Sequence, residues 1–240
     1  MIRAGLVGAS GRMGTAIREV AYEFSGFRID KTFEKGDHLD LSATAHLDVI
    51  VDFSTPTVTI DYAKACAAHG VPFVSGTTGL SPAQVEELTE LSGHVAILHA
   101  ANFSVGVNIL EHLVELASAA SHGFDIEIFE AHHRRKVDAP SGTALFLGRA
   151  AAKGRGLDLE EVARTERSGQ RTDEEIGFQV LRGGGIVGEH TVYFVAEGER
   201  IELTHRAQER AIFARGAVRA ALWLAGRPSG QYTMKDVLFA

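Results

Sequence analysis

Residues 130–143, EAHHRRKVDAPSGT, contain side chains of the kinds that transfer protons and bind anions. His132, His133 and Lys136 lie within five positions of one another in this segment. Histidine suits a proton donor because its ordinary pKa, about 6.5, lies close to neutral pH. Lysine, with an ordinary pKa of about 10.4, stays charged at that pH and can stabilise an anion. The segment therefore predicts a site where an anionic substrate receives a proton.

The end of this segment predicts a binding site for a carboxylate or a phosphate. Gly142 and Thr143 immediately precede residues 144–152, which have the pattern of a helix. The first backbone N–H groups of a helix have no partner inside the helix, so they favour an anion. We therefore expect the N–H groups of Gly142 and Thr143 to hold an anionic group.

Other interpretations of the adjacent histidines are weaker. The alternating Ile126 and Ile128 predict a strand, in which neighbouring side chains point to opposite faces. At most one of His132 and His133 then faces a given pocket, unless the backbone turns there. A metal site is disfavoured because no cysteine or third ligand lies nearby. A nucleic-acid patch at HHRRK is disfavoured by the formal net charge of −7.

The composition is that of a globular protein with one large domain or two small ones. The chain has 240 residues, of which 45% are hydrophobic and 23% charged. Its single cysteine, Cys66, lies in an apolar helical pattern, which predicts a core position and a reducing compartment. No window reaches the roughly 18 apolar residues of a membrane span, and no signal-peptide pattern opens the chain. We therefore expect a cytoplasmic protein with neither membrane nor nucleic acid as a partner.

A glycine-rich loop near the N-terminus indicates a dinucleotide site. The loop GASGRMG, residues 8–14, separates a strand predicted at 2–7 from a helix with apolar positions at Met13, Ile17 and Val20. Such a loop lets backbone amides approach a pyrophosphate at the helix N-terminus. Its spacing is GxxGxxG rather than GxGxxG, and glycines between a strand and a helix can also serve packing alone.

The acid expected downstream of such a loop is present. A second strand is predicted at 27–33 and leads into Glu34, which lies 20 residues after Gly14. A dinucleotide-binding fold places there the acid that binds a ribose hydroxyl. The next residue, Lys35, could instead accept the 2′-phosphate of NADPH, so both NADH and NADPH remain candidates.

Strands and helices alternate through the first 105 residues, which predicts a parallel sheet. Three further strands are predicted there, each followed by a small polar loop. The strands with their loops are 49–53 with 54–56, 71–75 with 76–79, and 95–99 with 100–104. Because open α/β sheets bind ligands at the carboxyl ends of their strands, these loops predict a cofactor crevice.

The pattern changes after a helix predicted from residue 107. Strands are predicted at 176–180, 192–195 and 200–205, a mobile polar loop at 154–173, and helices at 209–213 and 217–224. We therefore predict an α/β fold with two domains. Residues 1–105 plus 207–240 form a Rossmann-like domain with a doubly wound parallel sheet. Residues 106–206 form a second, smaller α+β domain for substrate binding and oligomerisation.

The chain resembles the dihydrodipicolinate reductase family, the 4-hydroxy-tetrahydrodipicolinate reductases of the diaminopimelate and lysine pathway. Its matching motifs, in the family's order, are GASGRMG, VDFSTP, GTTGL, AANFSVGVN, EAHHRRKVDAPSGTAL, IVGEHTV and FARGAVRAALWL. The motif that begins EAHH is highly specific, whereas the glycine loop is not. The resemblance implies NADH or NADPH as cofactor, a small dicarboxylate as substrate, and a homotetramer formed through the sheets of the substrate domain.

The resemblance also implies the roles of individual residues. His132 corresponds to the general acid and Lys136 to a second proton donor, while His133, Gly142 and Thr143 correspond to substrate-binding positions. No metal ligand is implied. The implied cofactor-binding residues are Gly8, Ala9, Ser10, Gly11, Arg12, Met13, Glu34, Lys35, Gly76, Thr77, Thr78, Ala100, Ala101, Asn102 and Phe103.

Two alternatives share the N-terminal features. Another two-domain NAD(P)-dependent dehydrogenase of a small amino or hydroxy acid would keep the glycine loop and Glu34, but has no need of HHRRKVDAPSGT. A non-catalytic protein that senses NAD(P)H would bind the cofactor without oxidising it. That alternative leaves His132 and Lys136 without a role.

The position of Lys35 leads to a prediction about cofactor choice. Lys35→Ala should weaken the binding of NADPH more than that of NADH, because only NADPH carries the 2′-phosphate that the ammonium would meet. Titration of each cofactor with wild type and variant measures the difference. Equal weakening of both cofactors would mean that Lys35 does not contact the 2′-phosphate.

Overall fold

The computed structural model describes residues 1–34, 36–37 and 46–239. They divide into two compact units, of which the first comprises Met1–Val105 with Ala211–Ala240 and the second Gly106–Arg210. Lys35 lies outside the described residues, so the structure gives no position for it. None of the helices in the described ranges has the length and apolar character needed to cross a membrane.

The secondary structure alternates in the first unit and is richer in strands in the second. The strands are β1 (Ile2–Val7), β2 (Phe27–Phe33), β3 (Val49–Asp52), β4 (Phe73–Ser75), β5 (Ala96–His99), β6 (Asp125–His132), β7 (Ala163–Arg164), β8 (Ile176–Arg182), β9 (Gly188–Val195), β10 (Arg200–Ala207) and β11 (Gly230–Tyr232). The helices are α1 (Arg12–Val20), α2 (Pro56–His69), α3 (Pro82–Leu91), α4 (Val105–Ala120), α5 (Gly142–Arg155), α6 (Leu159–Val162), α7 (Ala211–Leu224) and α8 (Met234–Phe239). A short 3-10 turn, Ala21–Glu23, follows α1.

The first unit contains a six-stranded sheet in the order β11-β5-β4-β3-β1-β2, with every strand pair parallel. Successive residues of a strand face opposite sides of the sheet. Val49 and Val51 accordingly pack into a core with α1 and α7, whereas Ile50 packs into a separate core with α2 and α3. The prediction of a doubly wound, Rossmann-like sheet is therefore confirmed. The edge strand β11 was not predicted, because its three residues carry no pattern of their own.

Local signals set the ends of the helices in this unit. The Ser81 hydroxyl accepts a hydrogen bond from the Gln84 N–H, and the Gln84 side chain accepts one from the Ser81 N–H, which together form a capping box at the start of α3. Helix α2 begins at Pro56 and ends before Gly70, which has a φ of 68°. A left-handed backbone of this kind favours glycine, because a Cβ would be strained there.

The second unit contains a mixed sheet in the order β10-β9-β6-β8-β7. β6 pairs with β9 antiparallel and with β8 parallel, so β6 is its central strand. One face of the sheet packs against α4, α5 and α6, burying Ile126 and Ile128 of β6. The prediction of a mobile loop at 154–173 is wrong in its first part. α5 continues to Arg155, and α6 buries Leu159 and Val162 in this core.

A buried carboxylate ties together the polar loops of the first unit. Asp52, at the end of β3, is fully buried and accepts hydrogen bonds from four hydroxyl groups. The donors are Thr59 at 2.6 Å, Ser75 at 2.8 Å, Thr77 at 2.9 Å and Ser54, also in hydrogen-bond contact. Because these donors come from three different segments, one acceptor fixes the relative positions of the loops after β3 and β4.

This arrangement leads to a prediction about stability. Asp52→Asn should lower the free energy of unfolding by about 2 kcal/mol, because the new NH2 group meets hydroxyl donors and leaves buried polar groups unpaired. Urea unfolding of the variant and the wild type measures the change. Asp61→Asn, an exposed substitution on α2, is the matched control and should stay within about 0.5 kcal/mol. A change at Asp52 no larger than that of the control would contradict the prediction.

Candidate active site

Strand β6 places an acid and a histidine on the same face of the second sheet. Ile126, Ile128, Glu130 and His132 alternate along the strand, and all four are buried. Side chains two residues apart on a strand point to the same side. The Nδ1 atom of His132 therefore lies 2.6 Å from Oε2 of Glu130. Because a carboxylate accepts, Nδ1 is the atom that carries a proton in this pair.

Glu130 is fully buried, and two groups besides His132 help to satisfy its carboxylate. Arg182, the residue paired with His132 across β6 and β8, donates to both oxygens at 2.7 Å. The backbone N–H of Ser141 donates to Oε1 at 2.9 Å. A paired arginine in a fork geometry is among the strongest partners a buried carboxylate can have. Glu130 is thus held in one position by β6, β8 and the start of α5.

These contacts act on the pKa values of both groups. Burial alone would raise the pKa of Glu130, but hydrogen bonds from Arg182, His132 and Ser141 outweigh it, so that the pKa is lowered. Burial lowers the pKa of His132, and contact with Glu130 opposes that change. The charges of Lys136 and Arg182 lower it further. The proton affinity of His132 therefore depends on the balance between burial and one neighbouring carboxylate.

Ser141 connects this pair to a second buried histidine. The Ser141 hydroxyl accepts a hydrogen bond from the Ala144 N–H at 3.1 Å, which caps α5, and lies 3.0 Å from Nε2 of His190. The tautomer of the His190 ring determines which of the two groups donates in this hydrogen bond. Burial, with a contribution from His132, lowers the pKa of His190 to about 3. His190 is accordingly neutral, and its ring packs edge-on to that of His132 with centroids 5.1 Å apart.

The predicted second proton donor lies in the turn after β6. The Nζ atom of Lys136 is 2.8 Å from both carboxylate oxygens of Asp138, an ion pair at the surface. Arg182 donates to the backbone oxygen of Asp138 at 2.7 Å, which links this turn to Glu130. The Lys136 charge is near enough to act on the pKa of His132. The structure thus brings Lys136 into the electrostatic environment of His132.

The three predicted substrate-binding residues occupy two places. Nε2 of His133 lies 3.2 Å from a guanidinium nitrogen of Arg210, so His133 does not share the contacts of His132. Gly142 and Thr143 are the first residues of α5, directly after its cap Ser141. A Cβ on Gly142 would meet no atom within 4 Å, so this helix start borders open space. Its position beside Ser141 places it next to the pair of Glu130 and His132.

The glycine loop in the first unit packs so closely on the chain around it that Gly8 and Gly14 leave no room for a side chain. Gly8 has a φ of 75°, and a Cβ there would lie 2.6 Å from the Phe53 backbone oxygen. A Cβ on Gly14 would lie 2.2 Å from the Gly8 oxygen. Gly11 precedes α1, and no side chain caps that helix start. The uncapped N–H groups at the start of α1 are the donors that the pyrophosphate of a dinucleotide requires.

The other predicted cofactor residues flank this loop. Oε2 of Glu34 accepts a hydrogen bond from the Ser10 hydroxyl at 2.6 Å, which brings the end of β2 to the glycine loop. Ala9, Ser10, Arg12 and Met13 complete the segment from Gly8 to the first residues of α1. A carboxylate beside the glycine loop is the arrangement that binds a ribose hydroxyl.

Two further loops with predicted residues are fixed to each other. Thr77 donates to Asp52, and its backbone oxygen lies 2.9 Å from Nε2 of His99. The N–H of Ala100 donates to the Ser75 oxygen at 3.1 Å. Gly76 and Thr78 flank Thr77, and Ala101, Asn102 and Phe103 follow Ala100. The loops after β4 and β5 therefore form one polar edge of the parallel sheet.

The Phe53 ring packs between these two loops. It lies 5.4 Å from the Phe103 ring, measured between centroids. A Cβ on Gly76 would come within 2.1 Å of the Phe53 ring, so a side chain there would displace it.

Sequence reasoning missed four members of the site: Glu130, Arg182, His190 and the hydroxyl of Ser141. One signal was available for Glu130, since an acid two positions before a histidine on a predicted strand shares its face. Nothing local identified Arg182, which lies 52 residues beyond Glu130. In the described residues, no group of three or more histidine, cysteine or acidic side chains is arranged to hold a metal ion.

Comparison with known proteins gives a consistent result along the chain. The family model described as dihydrodipicolinate reductase, N-terminus, matches residues 2–103, and the one described as dihydrodipicolinate reductase, C-terminus, matches residues 106–238. Two relatives bear the name 4-hydroxy-tetrahydrodipicolinate reductase. That of Zymomonas mobilis is 48% identical over 99% of this chain and 97% of its own length. That of Acinetobacter baumannii strain AYE is 45% identical over 98% of this chain and 96% of its own length.

A solved structure shares the fold. The dipicolinate-bound dihydrodipicolinate reductase from Paenisporosarcina sp. TG-14 aligns with a TM-score of 0.81 at 22% identity, covering 97% of each chain. At this identity the comparison supports the arrangement of strands and helices and not the roles of side chains.

The neutral state of His190 leads to a prediction about pH. The unfolded chain protonates His190 near pH 6.5, whereas the folded protein does so only near pH 3. The unfolded state thus binds more protons between these values, so the folded state loses stability as pH falls. In His190→Gln the free energy of unfolding should therefore fall less steeply between pH 6 and pH 4 than in wild type, by up to about 1.4 kcal/mol per pH unit. Urea unfolding at several pH values measures it. The exposed variant His122→Gln is the control, and a slope unchanged from wild type in His190→Gln would contradict the prediction.

Proposed function

The chain belongs to the dihydrodipicolinate reductase family, and we propose that it reduces 4-hydroxy-tetrahydrodipicolinate to tetrahydrodipicolinate with loss of water. The reductant is NADH or NADPH, and the reaction serves diaminopimelate and lysine biosynthesis. The observation that carries the proposal is the match of both halves to the family, together with named relatives that span nearly the full length.

The first unit holds the cofactor in this proposal. A reduced nicotinamide supplies the hydride when it is bound. The backbone of the Gly8 loop and the start of α1 bind its pyrophosphate, because no side chain caps the N–H groups at this helix start. Glu34 binds a ribose hydroxyl, supported by its contact with Ser10. The remaining residues of the cofactor site are Ala9, Gly11, Arg12, Met13, Lys35, Gly76, Thr77, Thr78, Ala100, Ala101, Asn102 and Phe103.

His132 donates the proton. Reduction of a conjugated imine leaves negative charge on a neighbouring carbon or nitrogen, and an acid must neutralise it. The Nδ1 atom of His132 is engaged by Glu130, so Nε2 is the nitrogen that delivers the proton. A Cβ on Gly188 would lie 3.1 Å from Nε2, and the lack of a side chain there keeps this nitrogen accessible on that side.

Lys136 and the start of α5 bind the anionic substrate. The ammonium of Lys136 stabilises the developing anion, a substrate carboxylate or the departing water, since its charge acts close to His132. The N–H groups of Gly142 and Thr143 hold one carboxylate at the positive end of α5. His133, together with Arg210, contacts the second carboxylate. These contacts fix the substrate relative to the proton donor and convert a loose encounter into one geometry.

The proposal extends to assembly and location. A homotetramer forms through the second sheet, on the resemblance to the family. The partly exposed apolar side chain of Leu181 on β8 lies on the face of the sheet opposite to the helices and supports a contact there. The protein works in the cytoplasm, in keeping with a lone cysteine, Cys66, that is buried as expected and forms no disulfide.

The role of His132 gives the first test of this function. His132→Gln should lower kcat by roughly a hundredfold to ten-thousandfold, the usual contribution of a general acid. The affinity for NADH and NADPH should stay unchanged, because the residue contacts the substrate alone. Turnover is followed by cofactor absorbance with enzymatically generated 4-hydroxy-tetrahydrodipicolinate. The exposed His122→Gln serves as the control.

The outcomes separate the alternatives. Turnover that is unaffected in His132→Gln would remove this residue from the mechanism. If the wild-type protein binds NAD(P)H but does not oxidise it with any of the substrates, it is instead a sensor. Oxidation with a small amino or hydroxy acid, and none with the dicarboxylate, would identify a different dehydrogenase.

A further inference from the structure

Glu130 is a buried charge to which neither the family resemblance nor the proposed reaction assigns a role. It is fully buried, although burying a carboxylate costs several kcal/mol unless it is paired. One of its oxygens, Oε2, is shared by Nδ1 of His132 at 2.6 Å and Arg182 at 2.7 Å. A group needed only for packing would be less costly as an apolar side chain. The contact with His132 therefore indicates a chemical role.

The charged and titratable groups around His132 come from four elements. Glu130 approaches from β6 itself, Arg182 from the neighbouring β8, Lys136 from the turn after β6, and His190 from β9. Arg182 and Lys136 are cations, and His190 is neutral because burial lowers its pKa to about 3. Glu130 is thus the one anion among these four neighbours, and it alone favours a protonated His132.

We propose that Glu130 is the positioning residue of the proton donor: it fixes the His132 ring with Nε2 free for the substrate and stabilises its protonated form, while Arg182 keeps Glu130 ionised. This inference deepens the proposed function and rests on it. His132 begins the step as an imidazolium with protons on both nitrogens. The Nε2–H bond breaks as its proton joins the electron pair on the reduced substrate. The neutral ring that remains keeps the proton on Nδ1, which is hydrogen-bonded to Glu130. Its Nε2 then takes a new proton from solvent.

Arg182 has a separate part in this arrangement. Its fork geometry matches both oxygens of Glu130, so it lowers the pKa of Glu130 and prevents proton transfer from His132 to the carboxylate. It also ties Glu130 to the turn that carries Lys136, through its bond to the Asp138 backbone oxygen. The two proposed proton donors are therefore held by one arginine and one glutamate.

The contacts of His132 determine the direction in which its pKa should move when the charge of Glu130 is removed. Burial and two nearby cations lower the pKa of His132, and Glu130 opposes them. Removal of the carboxylate charge leaves those effects unopposed, so less of His132 is protonated at neutral pH. The limb of the pH–rate profile along which activity falls with rising pH should then move to lower pH. A role in packing alone would not move this limb.

Glu130→Gln is the main test, because glutamine keeps the shape and the acceptor but removes the charge. We expect kcat at pH 7 to fall at least tenfold with a smaller change in KM, and the descending limb to move down by about one pH unit or more. Glu127→Gln is the matched control. Glu127 lies on the same strand and pairs with Arg167 and Arg171, away from His132. This variant should leave the limb where it is in wild type.

A second measurement does not depend on activity. Titration of the His132 ring by NMR, in protein labelled with 15N at histidine, reports its pKa and which nitrogen carries the proton. Wild type should show the neutral ring protonated at Nδ1, and Glu130→Gln should show a lower pKa. If Glu130→Gln folds poorly because Arg182 is left unpaired, the double variant Glu130→Gln with Arg182→Met removes both charges. This double variant should also lower the His132 pKa, but by a smaller amount than Glu130→Gln alone.

The outcomes are distinct. An unchanged His132 pKa and an unchanged pH–rate profile in Glu130→Gln would overturn the inference, as would an equal shift in Glu127→Gln. A wild-type protein with no turnover of the dicarboxylate would overturn the proposed function instead, while the NMR titration would still decide whether Glu130 controls His132.

Discussion

A single buried carboxylate organises the candidate active site. Glu130 receives hydrogen bonds from His132 on its own strand, Arg182 on the neighbouring strand and the Ser141 backbone at the start of α5. Because the charge is fully buried, loss of any one partner leaves an incompletely satisfied ion in the protein interior. This requirement links the positions of the His132 ring, the start of α5 and the turn that carries Lys136.

The first unit also contains a buried carboxylate that joins several segments, but its hydrogen-bond donors are of a different kind. Asp52 also lies at the carboxyl end of a strand and is also fully buried, but its donors are hydroxyl groups rather than an arginine and a histidine. These neutral donors hold the loops after β3 and β4 in place without adding a cation. Cationic donors at Glu130 instead couple the position of a histidine to its proton affinity. A buried acid thus serves structure in one unit and, in our proposal, proton transfer in the other.

The pattern of the sequence predicted the fold where the pattern was long. Alternating strands and helices indicated the parallel sheet, and Arg12–Val20 formed the helix expected from the apolar positions Met13, Ile17 and Val20. Short or polar segments were harder. Gly230–Tyr232 becomes a strand only by pairing with β5. Helix α6 lies in a polar stretch, and its Leu159 and Val162 are buried in the core. In both cases a tertiary contact supplies the stabilisation that local propensity lacks.

The sequence by itself determined the chemistry available and much of its placement: a histidine at the end of a strand, a lysine four positions later, and a helix start at Gly142. Spacing along the chain also fixed that Glu130 and His132 share a face, since that depends only on the period of a strand. Only the tertiary structure brought in Arg182 and His190, which lie on β8 and β9. Their approach depends on strand register, and register is set by packing across the whole sheet rather than by any local signal.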